Sequence, residues 1–176
     1  YNRGIVTPSW ALSTLYGLHL VAPVIWVGGL FVQAVIVWPA TRGALGPGLL
    51  LADVQARWRK VFNPLAWLSL AILVVTGMFQ MSADPNYHGT LVVDTPWSVA
   101  MLVKHVAAAG MAAIGAFSQA VVQPALARAQ LQLRRSRPEP GDDGAASAER
   151  RETQLLWLNL ACALVVLICT AVATSQ

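Results

Sequence analysis

One stretch decides the fold of this chain: residues 97–126, which read WSVAMLVKHVAAAGMAAIGAFSQAVVQPAL. The stretch is almost wholly apolar and exceeds the roughly 20 residues that a helix needs to cross the hydrocarbon core of a bilayer. It contains a single charged side chain, Lys104, which His105 follows directly. Because ionisable groups are costly inside a membrane and often mark functional sites there, these two residues are the first candidates for function.

The composition extends the same inference to the whole chain. Of its 176 residues, 56% are hydrophobic and only 11% are charged, whereas an ordinary soluble domain carries about 25% charged residues. Three further apolar runs lie near residues 10–38, 60–81 and 153–174. We therefore predict an all-α membrane protein whose four transmembrane helices form a single domain over residues 1–176, with the lipid bilayer as its partner.

Basic residues separate the two sides of the predicted bundle. The connections at 39–59 and 127–152 are rich in arginine, whereas the connection at 82–96 has neither lysine nor arginine. Because basic loops face the cytoplasm, we expect a bacterial plasma-membrane protein with both termini and loop 82–96 outside. The 127–152 connection is polar and contains Pro and Gly, so we expect a mobile cytoplasmic linker. The net charge of +4 lies in loops, and no nucleic-acid partner is expected.

An internal repeat relates the first and third apolar runs. The string HLVAPVIWVGGLFVQAV begins at His19, and HVAAAGMAAIGAFSQAV begins at His105. Aligned without gaps, the strings share a histidine, a glycine, a phenylalanine and the tripeptide QAV. Such self-similarity predicts two tandem helical hairpins related by a pseudo-twofold axis along the membrane normal.

The two histidines of the repeat suggest a cofactor. His19 lies nine residues after Trp10, and His105 lies eight residues after Trp97, so both imidazoles are expected at similar depth in the outer half. Two neutral imidazoles are the axial ligands of a six-coordinate haem iron, and a filled coordination sphere suits electron transfer. We predict a b-type haem between them, with Lys104 reaching outward to the propionates. Other membrane redox subunits or quinone are the expected partners.

Copper is the alternative metal. Met78, Met81 and Met101 lie toward the predicted outer side, and His88 lies in the outer loop. Thioether sulfurs suit Cu(I), although methionines also fill gaps in packed cores. A third interpretation makes the protein purely structural, with His19 and His105 bonding one helix to another.

Two more pairs of residues bear on the inner half of the bundle and on the last helix. Gln33 and Gln119 lie fourteen residues after the histidines, where they could bond across the axis or line a polar site for a quinone or protons. Cys162 and Cys169 share one face of the last predicted helix, where we expect them to pack.

Three strings carry a resemblance to known families: LHLVAPVIWVGGLF, RW..VFNPLAWLSLAILVVTGMF and W..AMLVKH. Together they resemble the membrane domain of the copper-resistance D (CopD) family and, more distantly, the HemJ-type protoporphyrinogen oxidases. The family's histidine, its Trp-x-Gly-Gly and its lysine match His19, Trp26, Gly28, Gly29 and Lys104. The resemblance implies a helical bundle associated with copper handling or with b-type haem. Copper transport and porphyrin oxidation are therefore alternatives to electron transfer, and whether the chain is an enzyme stays open.

Overall fold

Helices make up almost all of the described chain. The computed structural model describes residues 9–46, 49–83, 95–135 and 143–174, and no strand occurs within these ranges. The elements in chain order are α1 (Ser9–Phe31), a π-helical segment π1 (Val32–Val37), α2 (Trp38–Leu45), α3 (Leu49–Ala83), α4 (Pro96–Phe117), a second π-helical segment π2 (Ser118–Val122), α5 (Gln123–Arg135) and α6 (Asp143–Thr174).

The described chain contains four long, continuous helical segments, and they confirm the predicted fold class. The segments Ser13–Leu45, Leu50–Ser82, Pro96–Leu131 and Glu149–Ala173 are each long and apolar enough to cross a membrane. Large apolar side chains on their outward faces, such as those of Leu20, Val24 and Ile168, are exposed. Lipid covers such surfaces in a membrane protein, so their exposure agrees with an integral membrane protein.

The helices run further than the hydrophobic runs predicted. Most of the predicted 39–59 connection is helical, because α2 ends at Leu45 and α3 begins at Leu49. Between them the chain turns at Gly46, whose φ of 64° lies in the left-handed region that favours glycine. The helix continues because alanine, arginine, lysine and glutamine are good helix formers whether or not lipid surrounds them.

The predicted linker over 127–152 is helical in its described parts, and its mobility stays a prediction. Residues 127–135 belong to α5 and residues 143–152 form the beginning of α6. Both stretches are rich in alanine, arginine and glutamate or glutamine, whose helix propensity outweighs their polarity. Residues 136–142 lie outside the described ranges.

Two hairpins form the bundle. Helix α1 packs against α3, and α4 packs against α6; the hairpins meet where α6 contacts α1 and where α5 contacts α3. The apolar core between them contains Trp26, Leu30, Ala34, Phe62, Met111, Leu156, Leu160 and Ala163. Gly29 allows α1 to approach α3 closely, because a side chain at this position would collide with the ring of Phe62.

The two π-helical segments fall at matching positions of the internal repeat. In the alignment of His19 with His105, Val32 at the start of π1 pairs with Ser118 at the start of π2. Pro39 and Pro124 follow, and a proline ring clashes with the carbonyl group four residues earlier. Widening the helix by one residue relieves such a clash. The matched π-helical segments support a duplication, and the pseudo-twofold axis stays a prediction.

Candidate functional site

His19 is held by a hydrogen bond to the neighbouring helix α3. Its Nδ1 lies 2.8 Å from Oγ1 of Thr76, and the Thr76 hydroxyl donates to the carbonyl oxygen of Ile72 at 2.6 Å. Because a hydroxyl has only one proton to donate, His19 Nδ1–H must be the donor to Thr76. Nε2 then carries the lone pair that can bind a metal or a proton.

Space for the imidazole of His19 comes from a glycine on α3. A Cβ atom at Gly77 would lie 3.3 Å from Cε1 of His19, closer than side chains usually pack. Neither Thr76 nor Gly77 was predicted from the sequence as a site residue. Threonine and glycine are common in membrane helices, so neither residue stands out until α3 is placed against α1.

His105 is exposed and bonds to its own helix. Its Nδ1 lies 2.6 Å from the carbonyl oxygen of Met101. A carbonyl oxygen only accepts hydrogen bonds, so Nδ1 carries the proton and Nε2 carries the lone pair. Both histidines therefore have the same tautomer, with one ring nitrogen oriented by the protein and the other available to a ligand.

Four helices contribute to one cluster. Lys104 and His105 lie close enough to His19 for their charges to act on it, and Cys169 of α6 lies within the same range of Lys104. We call His19, Thr76, Lys104, His105 and Cys169 the histidine cluster. Lys104 and His105 thus lie within electrostatic range of His19, and their action as one site stays a prediction. The structure adds Cys169, for which the sequence indicated only packing.

The methionines of the alternative copper prediction lie on two helices, Met78 and Met81 on α3 and Met101 on α4. Met78 on α3 is 65% exposed and points away from the core. Met81 and Met101 are half-buried, and Met101 contacts His105 through its backbone carbonyl group. His88 lies outside the described residues. Over the described ranges, no three side chains of His, Cys, Asp or Glu are already grouped to hold a metal ion.

The repeated glutamines lie at the other end of the bundle. Oε1 of Gln119 accepts a hydrogen bond from Nε1 of Trp67 at 3.0 Å, and Gln33 is buried. Both line a cavity of about 80 Å³. We call it the polar cavity and define it by Gln33, Arg59, Asn63, Gln119, Glu152 and Asn159. Because the side-chain carbonyl group of Gln119 accepts from Trp67, it stabilises the contact between α3 and π2.

A buried ion pair joins α3 to α6 beside this cavity. Nη1 of Arg59 lies 2.6 Å from Oε1 of Glu152, and both side chains are buried. The sequence placed these residues in two different loops, 93 positions apart. Their partnership depends on the helical extension of α3 and α6 and on the contact between the hairpins, which hydrophobicity does not reveal.

Comparison with known protein families finds one family that matches the chain. Residues 56–173, which are 118 of the 176 residues, match the family described as copper resistance protein D (CopD). The matched range includes most of α3 and all of α4 and α5, and with them Thr76, Lys104, His105 and Cys169; it begins after α1 and His19. Neither the search of curated proteins nor that of solved structures found a match. The chain is an integral membrane protein that belongs to the CopD family.

Proposed function

We propose that the chain handles copper in the membrane and binds Cu(I) at the histidine cluster. One observation carries this proposal: in a chain of the CopD family, two imidazoles and a thiol from three different helices lie around the same part of the bundle. Imidazole nitrogen and thiolate sulfur are ligands that copper prefers in proteins. Copper is the substrate or cargo in this proposal.

The contacts of the two histidines support metal binding. Thr76 and the Met101 carbonyl group engage the Nδ1 atoms, so each Nε2 is the available donor. Outer hydrogen bonds of this kind orient metal-binding histidines and fix their tautomers. No three donors are already grouped in the described ranges, so Nε2 of His19, Nε2 of His105 and Sγ of Cys169 would have to come closer to one another to hold Cu(I) jointly.

The charges at the opposite end of the bundle support the predicted orientation. Arg57, Lys60, Arg150 and Arg151 are exposed, and basic residues at helix ends favour the cytoplasmic side. We call this region the basic end. The histidine cluster then lies toward the outside of a plasma membrane, where copper enters.

Cu(I) titration of the purified protein tests the proposal, with a colorimetric chelator as competitor. His19→Ala, His105→Ala and Cys169→Ser are each expected to weaken Cu(I) binding by about tenfold or more. Cys162→Ser is the matched control, because Cys162 is on the same helix and packs against the apolar core. Unchanged affinity in all three cluster variants would overturn the proposal.

A b-type haem is the second candidate, and the same two histidines favour it. They come from separate membrane helices, lie near each other, and both carry the free lone pair on Nε2. Two such nitrogens suit axial ligation and electron transfer to membrane redox subunits or quinone. A visible spectrum separates the candidates: a Soret band that disappears in His19→Ala and in His105→Ala supports haem, whereas its absence from the purified protein leaves copper. Porphyrin oxidation of the HemJ type stays a prediction.

A further inference from the structure

The polar cavity lies far from the histidine cluster. Along α3, Arg59 precedes Thr76 by 17 residues, or about 25 Å of helix. Along α6, Asn159 precedes Cys169 by ten residues, or about 15 Å. The cavity therefore occupies the half of the bundle nearer to the basic end, and the copper proposal assigns it no role.

One side chain at this cavity lacks a partner. Asn159 is only 6% exposed, and its Oδ1 atom has no hydrogen-bond partner among the described residues. A buried carbonyl oxygen without a donor is costly, and protein structures avoid it. Since Asn159 lines the cavity, a small molecule held there would be placed to donate to Oδ1.

Charge and size identify this molecule. Arg59 and Glu152 neutralise each other at 2.6 Å, and the remaining polar lining consists of uncharged amides and a hydroxyl group, so no net charge is left to hold an ion. A volume of about 80 Å³ is enough for several water molecules, because roughly 10–15 Å³ of such space is enough for one. Water can donate to Asn159 and also accept from the amide NH₂ groups of Gln33 and Gln119.

An apolar barrier separates the cavity from the histidine cluster. Met111 on α4 and Leu160 and Ala163 on α6 lie between the two sites along their helices and are 1%, 7% and 0% exposed. We call these three residues the apolar plug. Their three side chains offer no hydrogen-bond partner to a water molecule, and an apolar interior of this kind stays dry.

We propose that the polar cavity binds a cluster of ordered water molecules and forms an aqueous path from the basic end to the middle of the bundle. Asn159 lies seven residues beyond Glu152, so the path reaches about 10 Å along α6. A hydrated path of this length shortens the dry part of the membrane that an ion or a proton must cross, whichever metal the histidine cluster binds.

X-ray radiolytic footprinting with mass spectrometry tests the proposal on the whole protein, because radicals form from bound water and oxidise side chains beside it. Phe62 and Leu156 line the cavity and are only 9% and 8% exposed; both are expected to be modified. Met111, whose thioether is intrinsically more reactive, is expected to remain unmodified in the plug. Asn159→Leu is expected to lower modification of Phe62 roughly fivefold, since it removes a polar anchor of the water.

Ser69→Ala is the matched control, because Ser69 is buried on α3 but is not part of the cavity lining; it should leave the modification of Phe62 unchanged. An unmodified Phe62 and Leu156, or a Met111 modified as strongly as they are, would overturn the proposal. The comparison within the native protein decides the question even where Asn159→Leu fails to fold. Loss of copper binding does not alter this readout, so the two proposals fail independently.

Discussion

The histidine cluster and the polar cavity are two groups of polar side chains in the same bundle that differ in composition and in burial. The cluster contains imidazoles, an ammonium group and a thiol that are partly buried or, at His105, exposed, together with the buried hydroxyl group of Thr76. The cavity contains the buried amides of Gln33 and Asn159, the half-buried amides of Asn63 and Gln119, and a buried, neutralised ion pair. The groups proposed to bind copper thus include an exposed imidazole that a ligand can reach, whereas most of the groups proposed to bind water are buried. The apolar plug lies between the histidine cluster and the polar cavity.

The same comparison shows what the duplication retained and what it changed. The repeat supplies a histidine to each hairpin, but His19 bonds across to α3 whereas His105 bonds to the preceding turn of its own helix. Likewise, Gln33 and Gln119 both line the polar cavity, but Gln119 also accepts a hydrogen bond from Trp67 on α3. Matched positions therefore predict depth in the membrane, and the neighbouring helix decides each side chain's partner.

The largest expected effect lies at the cavity end. Glu152→Gln leaves the buried guanidinium of Arg59 without its charge partner, which is expected to cost about 3–5 kcal/mol of stability. Thermal unfolding of the purified protein measures the loss. Arg151→Ala, a change at an exposed neighbour, is the control and is expected to alter stability by less than about 0.5 kcal/mol. Equal losses in the two variants would contradict a structural role for the ion pair.

The next effect compares two glycines at equivalent positions of the repeat. A side chain at Gly29 would collide with Phe62, whereas one at Gly115 meets nothing within 4 Å. Gly29→Ala is therefore expected to cost about 1–3 kcal/mol through overpacking between α1 and α3. Gly115→Ala is expected to be neutral or to stabilise by up to about 1 kcal/mol, because alanine is the better helix former. Thermal unfolding of both variants checks the difference, and equal losses would mean that the hairpins pack alike.

Hydrophobicity and the repeat predicted much of the fold. The physical basis of each signal also limits what it can predict. A membrane imposes apolar runs, so the four spans were visible in the sequence. Where the lipid ends the apolar signal ends too, but helix propensity does not, and the extension of α3 back to Leu49 and of α6 back to Asp143 was therefore missed.

The candidate site, like the fold, could be predicted from the sequence only in part. The repeat predicts equal depth for His19 and His105, and His105 lies within electrostatic range of His19. The bond from His19 to Thr76 and the pairing of Arg59 with Glu152 depend on how α3 is rotated and on which helices touch. Neither property is encoded in the periodicity of a uniformly apolar helix.

A smaller effect probes the orienting contact in the histidine cluster. Thr76→Val keeps the side-chain shape but removes the acceptor for His19 Nδ1–H. Cu(I) affinity is expected to fall by about tenfold, with little change in stability. Thr153→Val is the control, because the Thr153 hydroxyl bonds only to the preceding turn of α6 at the basic end. Should Thr76→Val bind Cu(I) as tightly as the native protein, His19 would not act through Nε2 in the proposed manner.

The smallest expected effect concerns the sign of the charge at the histidine cluster. The Lys104 ammonium lies close enough to act on His19 and repels a bound cation, so Lys104→Gln is expected to raise Cu(I) affinity a few-fold, or by roughly 0.5–1 kcal/mol. The gain is limited because a lysine side chain can swing its charge away toward the interface. Lys60→Gln removes the same charge at the basic end, where Lys60 is exposed, and is expected to leave the affinity unchanged. Weaker Cu(I) binding by Lys104→Gln would instead identify Lys104 as the partner of an anionic group, as the haem candidate requires for its propionates.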